Sequence, residues 1–162
     1  SEEDKVIARL KADLKPCVGA DRELEKLAKQ GKFKLAVVSS SALRRVVASI
    51  EKVGQDKYFA KDVFSAATSL PKPTSKPDPA IYLHAMEVLG KDASECVAVE
   101  DSKSGATAAF RAKIKTIGYT GSYEPEKEEE MRKVLTDAGC VVVMKDWSEF
   151  DSCLDGIIKG KL

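Results

Sequence analysis

Cys-Val-Ala-Val-Glu-Asp-Ser-Lys-Ser-Gly-Ala-Thr-Ala-Ala, residues 96–109, is the stretch on which the fold turns. Its first four residues form a continuous apolar run, the pattern of a strand buried on both faces. The run halts at Glu100-Asp101, and residues 104–113 then read as a helix of small residues. The same order occurs earlier in the chain. An apolar run at 35–38 stops at Ser39-Ser40-Ser41, and a helix follows with Leu43, Val46, Val47, Ile50 and Val53 at core spacing.

Outward from these two units the alternation continues. Residues 63–66 read as a short strand, and the four prolines between Leu70 and Pro79 require a loop. Asp78 and Pro79 read as the N-cap and first residue of a helix running through Leu83 and Met86 to Gly90. Strands are expected at 115–119 and 141–144, an acidic helix from near Pro125, and a closing helix at 147–158 anchored by Trp147 and Phe150. Upstream, Val6, Ile7, Leu10 and Leu14 fall at helical spacing, and a second helix presents Leu24, Leu27 and Ala28. Alternating strands and helices imply an α/β domain with a mostly parallel sheet, doubly wound.

Composition narrows the partners. The 162 residues are 43% hydrophobic and 33% charged, the profile of a globular chain. Lys and Arg number 27 against 26 Asp and Glu, so no global field points to nucleic acid or an anionic membrane. No apolar run approaches the roughly 18 residues of a spanning helix. Cys17, Cys96, Cys140 and Cys153 are scattered without a C-x-x-C pair, and read as buried thiols in a reducing, cytoplasmic compartment.

In a doubly wound sheet, ligands bind beyond the carboxyl ends of the strands. Three polar clusters belong there or in nearby loops: Ser39-Ser40-Ser41, Glu100-Asp101-Ser102, and the rigid Ser75-Lys76-Pro77-Asp78-Pro79. Hydroxyls and backbone amides hold phosphate oxygens, and a lysine neutralises them. Adjacent carboxylates at a strand end suit Mg²⁺, which takes oxygen ligands. Each cluster alone has a plain structural reading, as a polar turn, a loop carboxylate pair or a capped helix; their order and placement together are what is specific. His84, Lys103, Arg44 and Arg45 read as surface or packing residues.

LAVVSSS, SKPDPAIY and CVAVEDSKSGATAA resemble the second, third and fourth signature motifs of the haloacid dehalogenase superfamily. The nearest branch is that of β-phosphoglucomutase and small sugar-phosphate phosphatases, and the resemblance runs from about Val18 to Tyr119. It implies a Rossmann-like three-layer core at 17–162, with residues 1–16 as the remnant of a helical cap and hinge. It also implies that Ser39 bonds the transferring phosphoryl group, Ser40 adds a backbone amide, and Lys76 offsets negative charge. Asp101 and Glu100 would be the Mg²⁺ ligands, Gly105 would admit the following helix closely, and the partner would be a small phosphorylated metabolite.

One part of the family pattern has no match. Nothing before Ser39 resembles the first motif, a strand ending in Asp-x-Asp that supplies the nucleophile and the general acid and base. The chain opens Ser-Glu-Glu-Asp-Lys, which suggests a processed or truncated start. The family's first strand is central, so the gap is expected to be filled by an N-terminal fragment, by a second chain, or by direct pairing of the flanking strands. The expected activity is phosphomonoester hydrolysis; the alternative is a non-catalytic relative that binds a ligand through the surviving site. A receiver-like signalling domain fits less well, because its acidic pair comes early and this one comes late.

Overall fold

The computed structural model describes residues 23, 25–27, 29, 35–39, 62–66 and 68–162. The chain divides into two compact units, Ser1–Ser75 and Lys76–Leu162, and each is described by itself.

In the first unit β1 (Val37–Ser39) pairs in parallel with β2 (Val63–Ser65), in the register Val37 to Val63 and Ser39 to Ser65. Backbone bonds extend the ladder at both ends, from Val37 N–H to the Asp62 carbonyl and from Ala66 N–H to the Ser39 carbonyl. Leu27 is buried, as its helical spacing predicts. The first helix, and the helix expected to carry Leu43 to Val53, lie outside the described residues.

The second unit runs α1 (Ala80–Leu89), β3 (Val97–Glu100), α2 (Lys103–Arg111), β4 (Lys115–Tyr119), α3 (Glu128–Asp137), β5 (Val142–Met144) and α4 (Phe150–Ile158). Its strands form a parallel sheet in the order β3-β4-β5. β4 is central, with Thr116 to Tyr119 buried, whereas Val97 and Val99 on β3 are only half-buried. The expected α/β architecture with parallel sheets is therefore present. Among the described residues β1 pairs with β2, and β3 and β5 each pair with β4, every strand within its own unit.

Element limits follow local chemistry. α1 begins at Ala80, one residue later than expected, because Asp78 Oδ1 accepts the Ala80 N–H at 2.8 Å and Pro79 becomes the cap. It ends at Gly90 in the left-handed region (φ 67°), where glycine carries no Cβ penalty. Cys96 closes a short 3₁₀ turn at Ala93–Glu95, so β3 starts at Val97 and takes Glu100 into the ladder opposite Gly118. α3 is tied down by Arg132, which donates to Glu128 Oε1 and to the Val143 carbonyl at 2.9 Å. Trp147 stacks between Tyr119 and Phe150, as the apolar anchor predicted.

Apolar packing gathers where α3 crosses the sheet. Leu135 is 0% exposed and lies with Ala106, Cys140 and Val143 in one buried cluster. Leu135→Ala leaves a cavity there, and urea unfolding should show a loss of about 2–5 kcal/mol. Cys140 and Cys153 are buried free thiols and Cys96 is half-buried; burial pushes the Cys140 thiol up to about 11. Among the described residues no helix is long and apolar enough to cross a membrane.

Candidate active site

β3 alternates its side chains, and that alternation separates the acidic pair. Glu100, the last strand residue, has a side chain only 10% exposed, while Asp101 beyond it is exposed. Sequence reasoning gave the two carboxylates one role. The strand gives them different surroundings.

Glu100 meets Lys76. The loop before α1 delivers Lys76 Nζ to within 2.5 Å of Glu100 Oε1, and the lysine side chain is 9% exposed. Arg111, in the last turn of α2, donates to the Pro77 carbonyl at 3.3 Å and braces that loop. Tyr82, in the first turn of α1, donates its hydroxyl to the same Glu100 oxygen. Its ring centroid lies 5.1 Å from Lys76 Nζ, within cation–π range. The second oxygen, Oε2, sits against Gly105, where an added Cβ would stand 2.0 Å away. Gly105 thus makes room for a carboxylate, beyond the helix approach expected of it.

Asp101 is held by the loop after β4. Ser122 Oγ donates to Asp101 Oδ2 at 3.2 Å, and the Tyr123 hydroxyl donates to the Asp101 carbonyl at 2.5 Å. Burial first, then the Asp101 charge, raises the Tyr123 hydroxyl above its ordinary value, so it stays a donor. Ser102 Oγ accepts the Gly105 N–H at 3.1 Å and starts α2.

In the first unit Ser39 is half-buried at the end of β1, in register with fully buried Ser65. Ser65 Oγ accepts the Thr68 N–H at 3.2 Å, and Ser69 Oγ accepts the Ser65 N–H at 2.9 Å. Ser40 lies outside the described residues. The structure therefore brings Lys76 and Glu100 together, sets Asp101 on the adjacent loop, and places Ser39 at a strand end of the other unit.

Four residues of this site carry roles the sequence reading missed: Tyr82, Ser122, Tyr123 and, as room for Glu100, Gly105. Tyr82 had a usable signal, since it falls in the first turn of the helix that follows the Lys-Pro-Asp-Pro loop. The Ser122-Tyr123 pair had none, because its partner lies across the turn from β4.

For a divalent cation the fit is partial. Among the described residues no group of three or more His, Cys, Asp or Glu side chains could hold a metal ion. Two carboxylates stand at the end of β3, and Glu100 Oε1 already accepts from Lys76 and Tyr82.

A parallel α/β unit with a lysine-bearing loop, an acidic strand end and a small-residue helix is the arrangement of one hydrolase class. Residues 3–119 match the model of the haloacid dehalogenase-like hydrolases, and the chain belongs to that family. It is similar to hexitol phosphatase B of Escherichia coli (strain K12), with 34% identity over 138 residues, 83% of this chain and 59% of the relative. It is also similar to a phosphorylated carbohydrates phosphatase of Thermotoga maritima, 33% identical over 124 residues, 76% of this chain and 53% of the relative. Among solved structures, a conserved haloacid dehalogenase-like protein of unknown function from Agrobacterium tumefaciens superposes with a TM-score of 0.83 at 28% identity, over 96% of this chain and 67% of that one. The chain thus spans between 53% and 59% of the length of these two curated relatives.

Proposed function

We propose that this chain is the phosphate- and cation-binding part of a Mg²⁺-dependent phosphomonoester hydrolase acting on a small phosphorylated metabolite of the sugar or polyol class. The observation that carries the reading is the pairing of Lys76 with Glu100, which sets a cation from a loop beside the acidic end of a parallel strand. The names of the similar phosphatases support the substrate class.

On this reading Lys76 neutralises charge that develops on the phosphoryl oxygens, and fixed donors of that kind act most strongly where water is excluded. Ser39 and Ser40, in the first unit, are the phosphate-binding residues that the family resemblance implies. Asp101 and Glu100 would hold Mg²⁺, which supplies positive charge against the phosphoryl oxygens. The sequence contains no Asp-x-Asp pair, so a carboxylate nucleophile would come from outside these residues.

Phosphate release from a panel of hexose, pentose and hexitol phosphates tests this on the full protein. Turnover should require Mg²⁺ and fall about 10²–10³-fold in Lys76→Ala and in Asp101→Asn, the usual cost of losing one transition-state partner. Turnover untouched by both substitutions would remove these residues from the site. A second reading, a non-catalytic binding module, is favoured by the engagement of Glu100 with Lys76 and Tyr82. Phosphate binding by calorimetry, with no turnover of any panel member, would put that reading first.

A further inference from the structure

We propose that Tyr82 is a positioning residue of this site, holding the Lys76–Glu100 pair from both ends, its ring against the ammonium and its hydroxyl on the carboxylate. The kinetic part of the proposal rests on the phosphomonoesterase reading; the geometric part does not.

Three observations converge on it. First, Tyr82 is buried, and its hydroxyl goes to the site's own carboxylate. A core aromatic needed only for packing would be served as well by phenylalanine, which carries no polar group to satisfy. Second, the same ring lies 5.1 Å from Lys76 Nζ, so one side chain touches both members of the ion pair. Third, Glu100 Oε1 takes both donors, Lys76 and Tyr82, while Oε2 lies over Gly105, where an added Cβ would stand 2.0 Å away. Burial first, then the Glu100 charge, drives the Tyr82 hydroxyl well above its ordinary range.

Without the hydroxyl, Lys76 alone would hold Oε1 and the carboxylate could turn about its side-chain bonds. The lysine would turn with it, away from its setting against a phosphoryl group. Outer partners that orient site residues commonly change activity about 10–100-fold.

Tyr82→Phe keeps the ring and removes only the donor. In the full protein kcat should fall about tenfold while KM moves less than about twofold, because the loss lies in orientation and not in ground-state binding. In a Glu100→Ala background the same substitution should have no further effect, since its partner is gone. Independently of turnover, the ¹H–¹⁵N signal of the Lys76 ammonium, protected by burial, should shift or broaden away in Tyr82→Phe. An unchanged ammonium signal, or an equal fall in kcat with and without Glu100, would overturn the proposal. If the unsubstituted protein shows no turnover while the ammonium signal still responds, the phosphatase reading falls and the hold of Tyr82 on the pair stands.

Discussion

Lys76→Met is expected to lower the free energy of unfolding by about 3–5 kcal/mol, a loss unusual for a lysine. Most lysines are surface charges whose ion pairs are worth little. This one is different because its side chain and that of Glu100 are both about nine-tenths buried at a separation of 2.5 Å. Removing the ammonium leaves a carboxylate out of water with, among the described residues, the Tyr82 hydroxyl as its remaining donor. The loss belongs to the stranded charge more than to the bond, so the double variant Lys76→Met/Glu100→Gln should recover most of it. Urea unfolding of the two variants side by side decides the matter. A single variant within about 1 kcal/mol of the parent, in the range of an exposed pair, would mean that the pair is effectively solvated.

Gly105→Ala is the second large effect, and its sign is the informative part. In a helix interior alanine is normally better than glycine by about 1 kcal/mol. Here the new Cβ would lie 2.0 Å from Glu100 Oε2 and 2.5 Å from its carboxyl carbon. A flexible side chain usually gives way cheaply, but this one is held at its other oxygen by Lys76 and Tyr82. Displacing it breaks the buried pair, so a net loss of about 2 kcal/mol or more is expected, together with loss of phosphate release. In a Glu100→Ala background the obstacle is gone and the substitution should become stabilising by about its helix propensity. Thermal unfolding of the four proteins would show that reversal; its absence would mean that Gly105 matters to the helix and not to the carboxylate.

Much of the fold could be read before any coordinates because the apolar runs are short, continuous and sharply ended. β4 was delimited correctly, and β2, β3 and β5 within a residue at each end, since their runs stop at charged or small polar residues. The one-residue slip at β3 mattered most. It put Glu100 in the ladder and left Asp101 outside, which no local pattern announces, because it depends on where the preceding 3₁₀ turn releases the chain. The loop lysine and the acidic pair were legible as chemistry, but their meeting was not. It depends on the course of α1 between them. Tyr82 was hidden for a related reason: an aromatic residue in the first turn of a helix looks like core until its hydroxyl is followed to its acceptor.

Among the described residues, the groups set against the Glu100 carboxylate lie between Lys76 and Gly105, whereas β4, whose Gly118 pairs with Glu100, begins only at Lys115. Chains are made from their amino end, so the lysine, the tyrosine, the glutamate and the glycine all leave the ribosome before the strand that seals them in. The two ions are 24 residues apart in sequence, and closure entropy grows only slowly with such a length. Charge pairing is thereby placed ahead of burial. Lys76 and Glu100 can meet while both are still hydrated and then lose their water as a pair, which spares the nascent chain the far larger cost of drying either ion alone.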